Sequence, residues 1–205
     1  MSEEIERKNI DKSSINWDEH AEYWDTFPNG QYYTKNTFGL LSEQIELDNL
    51  SILDFGSGTG LLTEKMAPKA KQVVAIDPSK KMIEVLDDKK LKNVVTINGV
   101  LSKATVDSNP ALQNNFELIV ASSVCNFLPN YEEVLSIIKS LLAPNGIFVQ
   151  WDWLCTKDDI DFGFTEEMIR ENYDAVGLKI DSLSIPFHII ENDEKMEVIM
   201  AIGKL

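Results

Sequence analysis

The stretch richest in chemistry is Leu53-Asp54-Phe55-Gly56-Ser57-Gly58-Thr59-Gly60-Leu61-Leu62. An apolar run enters three glycines spaced by two, and an apolar helix pattern leaves them. Glycine lets a backbone approach a ligand where any Cβ would collide. In open α/β sheets, ligands sit outside the carboxyl ends of the strands, near the point where the strand order switches. Asp54 puts a carboxylate two residues before the first glycine. Asp77 closes the next apolar run, Val73-Val74-Ala75-Ile76-Asp77, where a carboxylate can accept hydrogen bonds from both hydroxyls of a ribose. Plainer roles stand beside these: Asp54 as a strand-end cap, Asp77 as a helix-start carboxylate next to Ser79.

Two cofactor classes compete for such a loop. A dinucleotide site wants G-x-G-x-x-G, with the pyrophosphate on a helix N-terminus. Here the spacing is G-x-G-x-G, and Asp54 would repel a pyrophosphate. Beside the ammonium and sulfonium of a methionine-derived cofactor the same carboxylate is attractive, by roughly 4 kcal/mol at 4 Å and intermediate dielectric. An NAD(P)-dependent oxidoreductase is therefore disfavoured. Asp77 serves either cofactor and does not discriminate.

These residues need a sheet to hold them. Ser51–Phe55, Gln72–Ile76, Asn93–Ile97, Phe116–Ala121 and Ile147–Trp151 read as buried parallel strands. Helical patterns lie between them. In the clearest, Tyr131, Val134, Leu135, Ile138, Leu141 and Leu142 share one face, and Pro144-Asn145-Gly146 ends it. Leu178–Ile185 and Lys195–Ile202 are strand-like with no helix between, so a hairpin with a connection over about Pro186–Glu194 is expected, its last strand antiparallel. The expected fold is α/β: a doubly wound, Rossmann-like, seven-stranded and mostly parallel sheet with an antiparallel last strand. Ahead of it, residues 1–15 read as a polar leader. Residues 16–205 read as a single domain. Within Asn16–Phe27, the aromatics Trp17, Tyr23, Trp24 and Phe27 roughly share a helical face. Pro28-Asn29-Gly30 breaks that pattern, and a second amphipathic stretch covers Phe38–Leu47.

Composition narrows the function. The chain has 205 residues, with 19 Lys plus Arg against 34 Asp plus Glu and a net charge of −15. Nucleic-acid binding leans on phosphate contacts from basic side chains, and no basic stripe here exceeds Lys89-Lys90-Leu91-Lys92. DNA is not expected as a partner, nor is a membrane, since no apolar run nears the roughly 20 residues of a spanning helix. The acidic start does not read as a signal peptide. Cys125 and Cys155 have no metal spacing and form no disulfide framework, so a cytoplasmic location and no metal site are expected.

In this setting the sequence resembles the class I S-adenosylmethionine-dependent methyltransferases of small-molecule type. Asp54-Phe55-Gly56-Ser57-Gly58-Thr59-Gly60 matches their first motif, and Asp77-Pro78-Ser79-Lys80-Lys81-Met82 is similar to their second. Phe116–Ser123 resembles their fourth-strand motif, and Leu141–Gly146 the turn before the fifth strand. Trp17-Asp18-Glu19-His20-Ala21-Glu22-Tyr23-Trp24-Asp25 is similar to an N-terminal lid helix, which places a helical lid over about residues 16–45. The resemblance spans residues 17–205 and implies S-adenosyl-L-methionine as cofactor. It implies Asp54, Gly56, Ser57, Gly58 and Gly60 around the loop, and Asp77 on the ribose. It further implies Pro78, Met82, Val100 and Leu101 near the adenine, and Ala121 and Ser122 at the fourth strand. Ile97-Asn98-Gly99-Val100-Leu101 departs from the pattern: it lacks the acid that often meets the adenine amine. That role falls to a backbone carbonyl near Gly99 or Leu101, or to a side chain such as Ser102.

The acceptor side is read from position. Trp17, His20, Tyr23, Trp24 and Tyr32 in the lid, with Trp151 at the end of the fifth strand, are candidate substrate contacts. Ser122-Ser123-Val124-Cys125 stands where the family's signature for planar nitrogen acceptors would be. The expected activity is methyl transfer to a small molecule. Methylation of protein or tRNA with a partner subunit, or cofactor binding without catalysis, are the alternatives. No catalytic base is identified.

Overall fold

The computed structural model describes residues 15–155, 163–191 and 193–205. Apart from its last residue, the polar leader lies outside them. β1 (Ser51–Phe55), β2 (Gln72–Asp77), β3 (Val94–Asn98), β4 (Phe116–Ser122), β5 (Leu142–Trp153), β6 (Lys179–Glu191) and β7 (Glu194–Lys204) form one sheet in the order β3-β2-β1-β4-β5-β7-β6. β1 to β5 are parallel where they pair, and β7 runs antiparallel to both β5 and β6. This is the expected doubly wound α/β fold. The order reverses between β1 and β4, so the carboxyl ends of β1, β2 and β4 flank the switch point.

Alternation along each strand builds two cores. On one face, Leu53, Val74, Ile119 and Phe148 pack with Val134, Leu135, Ile138 and Leu141 of α6 (Tyr131–Leu141) and with Ile169 and Tyr173 of α7 (Glu166–Val176). The other face buries Ile52, Val73, Val120, Val149 and Trp151 with Tyr33 and Leu41 of α2 (Pro28–Gln44) and Leu62 and Met66 of α3 (Leu61–Met66).

Three elements differ from the sequence reading. Pro28 opens α2 rather than only breaking a pattern: its ring fits the first helical turn, where no N–H bond is lost. The helix therefore runs continuously from Pro28 to Gln44, and the Phe38–Leu47 stretch is its second half. β5 starts at Leu142, pairs there with Phe116, and resumes at Ile147 opposite Leu118 after an irregularity in register. Asn145, at φ 64°, turns within that irregularity. The tail connection is shorter than Pro186–Glu194, because β6 continues to Glu191, which pairs with Glu194. Pro186 is tolerated because β6 is an edge strand and its register shifts between Ser184 and Phe187.

The lid segment is also less regular than one helix. A 3₁₀ turn, Trp17–Glu19, precedes a single helical turn, α1 (Ala21–Trp24). Trp17 and Trp24 meet edge to face at 5.8 Å, but Tyr23 and Phe27 are 64% and 52% exposed and do not join their face.

Candidate functional site

All three glycines of the loop have left-handed backbone, at φ 71°, 53° and 81° for Gly56, Gly58 and Gly60. Their surroundings differ in a way spacing does not show. A Cβ on Gly56 would lie 2.4 Å from Val124 Cγ2, and one on Gly60 2.2 Å from Leu86 Cδ1. Those two glycines allow close packing. A Cβ on Gly58 would meet only Trp24 Nε1 at 3.9 Å and Met82 Sδ at 4.0 Å. Of the three, Gly58 is the one where a side chain would strike no packed neighbour.

Asp77 holds the loop in shape. Its Oδ2 accepts from the Gly58 N–H at 2.9 Å and its Oδ1 from the Ser79 N–H at 2.8 Å. The ribose and helix-start readings are thus compatible: two of a carboxylate's roughly four lone-pair sites are used, and the others remain for a ligand. Burial raises its pKa against the pull of those two N–H groups, with Asp18 adding repulsion. Ser79 caps α4 (Lys80–Asp88), its hydroxyl accepting from the Met82 N–H, so the buried Met82 stands in the first turn beside the loop. Asn98 braces the same corner by donating to the Asp77 and Pro78 carbonyls.

Asp54 is almost wholly buried, and its Oδ2 accepts a 2.5 Å bond from the Thr63 hydroxyl of α3. Burial pushes its pKa up to about 7, the Thr63 bond opposes that, and Asp77 adds to it. At neutral pH the carboxyl is poised between charge states, directly behind the loop.

The lid is tied over this loop. Asp18 accepts from the Ser79 hydroxyl at 2.5 Å and from the Lys81 N–H at 3.1 Å, and these bonds lower its pKa. Asp25 accepts from the Thr59 hydroxyl and forms a 2.7 Å ion pair with Lys89, which also reaches Glu64 at 3.2 Å. Trp17 stands edge-on to Phe127 at 5.1 Å, in the turn after β4. Sequence reasoning named the lid aromatics but not Asp18, Asp25 or Lys89. Their roles arise from contacts 34 to 64 residues apart, which local pattern does not carry.

The remaining expected site residues fall into groups. Leu101 and Ala121 are buried, Ser122 is half-buried, and Pro78 and Val100 are exposed near the β2 and β3 ends. Ser102, offered for the adenine amine, instead caps α5 (Lys103–Ser108) by accepting from the Thr105 N–H. His20 is half-buried and lies 6.1 Å from Trp17. Trp151 is fully buried in the core rather than lining an open cleft. Tyr32 is 49% exposed against Phe187, whereas its neighbour Tyr33 is buried against Trp153 and Phe187. Among the described residues no cluster of His, Cys, Asp and Glu could hold a metal, and no helix is long and apolar enough to cross a membrane.

The sheet order and the glycine loop are those of a doubly wound α/β protein, and comparison with known proteins gives its class. A family model described as a methyltransferase domain matches residues 53–148. An uncharacterized methyltransferase of Oceanobacillus iheyensis is 30% identical over 67% of this chain and 68% of its own length. A ubiquinone biosynthesis O-methyltransferase of Pelagibacter ubique is 29% identical over 70% of this chain and 63% of its own. The N-methyltransferase NodS of Bradyrhizobium japonicum, solved with S-adenosyl-L-homocysteine, shares the fold at a TM-score of 0.68 and 19% identity, covering 93% of this chain and 98% of that one. The chain belongs to the class I S-adenosylmethionine-dependent methyltransferases. It spans 36%, 63% and 37% of the length of the first three curated relatives it matches. The site fits the family's cofactor on its own terms. The Ser57 hydroxyl is buried in the loop without a partner, and a side chain on Gly58 would clash with nothing, so packing alone does not call for glycine there.

Proposed function

We propose that the protein transfers a methyl group from S-adenosylmethionine to a small-molecule acceptor. The observation that carries this is the corner at Gly58, where Asp77 holds the loop, Met82 and the lid's Trp24 lie beside it, and Asp18 and Asp25 tie the lid down. The cofactor supplies a methyl group on a sulfonium, already activated for in-line displacement. The protein's share is alignment and exclusion of water. Asp77 offers its free lone pairs to the ribose hydroxyls while its bonds to Gly58 and Ser79 fix their position. Met82 gives the adenine an apolar contact, with Leu101 near it. Asp54 supplies negative potential behind the loop, which favours a ligand carrying an ammonium and a sulfonium. Trp17 and Trp24 cover the corner.

A small acceptor is supported by the tied lid, by the net charge of −15, and by the ubiquinone-pathway name of one relative. A reduced, cytoplasmic setting agrees with the buried Cys125 thiol, which forms no disulfide. The test is turnover. The chain is incubated with S-adenosylmethionine and a metabolite panel, and S-adenosylhomocysteine release is followed. Acceptor-dependent release is expected. Tight cofactor binding with no release from any member of a broad panel would make this a cofactor-binding protein instead.

A further inference from the structure

A cavity of about 630 Å³ opens on the sheet face that α6 and α7 cover. Small-molecule sites have that size, roughly 300–1,000 Å³. One wall is the segment after β4, which has two sides. Val124 fills the place of a Gly56 Cβ, and Phe127 meets Trp17 of the lid at 5.1 Å. Cys125 and Leu128 line the cavity instead. Among the described residues that line it, none belongs to the glycine loop, the Asp77 corner or the lid. The cavity thus stands across this segment from the cofactor loop.

The fold itself fixes the walls. The Tyr131 hydroxyl, at the start of α6, donates to the fully buried Gln150 at 2.5 Å. Gln150 Nε2 donates to Asp152 Oδ2 at 2.9 Å, and Asp152 Oδ1 accepts from the Asn126 N–H at 3.4 Å. The end of β5 therefore braces two walls at once. Phe164 packs on the Tyr131 ring at 4.8 Å, and Met168 of α7 lines the cavity beside it. Burial, with Asp152 beside it, pushes the Cys125 thiol well above its usual pKa, so this wall offers no nucleophile.

The lining is one-sided in charge. Its charged side chains are Glu132 and Glu133, both exposed in the first turn of α6. The nearby cations point elsewhere: Arg170 pairs with Glu166 at 3.7 Å, and Lys139 donates to the Val176 carbonyl at 2.6 Å. The amides and the phenol turn donors back into the protein. Asn130 donates to Glu133 at 2.6 Å, Asn172 donates to the Met168 carbonyl at 2.7 Å, and Tyr131 has given its proton to Gln150. What they keep for a ligand includes oxygen lone pairs. The positive end of α6 is worth roughly half a charge, which two carboxylates outweigh. We propose that this cavity is a second ligand site, which takes a cationic amine carried on an apolar body. The ammonium lies at Glu132 and Glu133, and the body against Tyr131, Phe164 and Met168.

Calorimetry on the full chain compares phenethylamine with two analogues of similar shape, the neutral phenethyl alcohol and the anionic hydrocinnamate. The amine should bind at least about tenfold more tightly than the carboxylate. Saturating S-adenosylhomocysteine should not displace it, because the two sites lie on opposite sides of the segment after β4. Glu132→Gln with Glu133→Gln should cost the amine at least about fivefold and leave the alcohol unchanged. Ser136→Trp fills the cavity from an exposed position of α6 and should abolish binding of both, with urea unfolding showing the variant folded. Equal or tighter binding of hydrocinnamate, displacement by S-adenosylhomocysteine, amine binding that survives Ser136→Trp, or no heat from any of the three probes would each overturn the proposal. Incubation with S-adenosylmethionine separates the two sources of such a ligand. Methylated phenethylamine by mass spectrometry marks an acceptor in the site, and unmodified amine that shifts cofactor affinity marks an effector there. The amine titrations need no cofactor, so their failure is distinct from a failure of the methyltransferase reading.

Discussion

Replacing Asp54 by Asn isolates the electrostatics behind the glycine loop. Asn keeps an oxygen for the Thr63 hydroxyl and removes the titration. The folded carboxyl has a pKa of about 7 against 3.8 for the free side chain. A group raised on folding contributes stability that is complete below its unfolded pKa and lost as pH rises through its folded one. Between pH 5 and pH 8 this amounts to roughly 2–3 kcal/mol, since only the folded carboxyl is protonated over most of that range. Urea unfolding of both proteins at several pH values reads it. The wild type should lose about that much more stability than Asp54→Asn as pH rises, with most of the loss between pH 5 and 7. A bound cation reverses the balance, because it favours the ionised form. Binding of S-adenosylmethionine at pH 6 should then release close to one proton, measurable by calorimetry in buffers of different ionisation enthalpy. Parallel pH profiles for the two proteins would show that Asp54 is not held protonated, and the reasoning would fail.

Gly58→Ala and Gly60→Ala should part company. At Gly58 there is room, so the cost is roughly 1–2 kcal/mol of left-handed strain, with a clear loss of cofactor affinity. At Gly60 the new Cβ strikes Leu86, so chemical unfolding should show a larger loss of stability than at Gly58. Lys89→Met cuts the lid's ion pair with Asp25, and stopped-flow fluorescence, with Trp24 as the reporter beside Gly58, should show S-adenosylhomocysteine entering and leaving faster. Unchanged rates would mean that the lid is held by Asp18 and Trp17 alone. Deleting residues 1–30 should weaken S-adenosylhomocysteine binding as well as abolish turnover, because Asp18, Trp24 and Asp25 all touch the cofactor corner; equilibrium titration of the truncated protein checks it.

The parts of the molecule legible in the sequence are those encoded locally. β-branched runs such as Val73-Val74-Ala75-Ile76 give strands, and the Tyr131–Leu142 periodicity gives the α6 face. The glycine spacing with Asp54 and Asp77 marks the cofactor corner. What stayed hidden depends on tertiary partners. Tyr32 and Tyr33 are adjacent, about 100° apart on a helix, and only the docking of α2 decides which one faces the core. The extension of β5 back to Leu142 needs Phe116 as its partner. Pro186 reads as a connection until β6 is known to be an edge strand. The three glycines look equivalent in sequence, yet Val124 and Leu86 make two of them packing residues, while a side chain at Gly58 would clash with nothing. Trp151, expected at a substrate surface, is core on every side, with only its indole N–H left over.

The central claim is that the corner at Gly58 and Asp77 is built for S-adenosylmethionine, and one calorimetric comparison tests it. S-adenosylmethionine, S-adenosylhomocysteine and NAD are titrated into the wild-type chain and into Asp77→Ala. The first two should bind the wild type at one site, NAD should give no heat of binding, and Asp77→Ala should lose at least about tenfold in affinity for both, the worth of about one charged hydrogen bond. Binding of NAD in preference to either adenosyl ligand, or an undiminished affinity in Asp77→Ala, would contradict it.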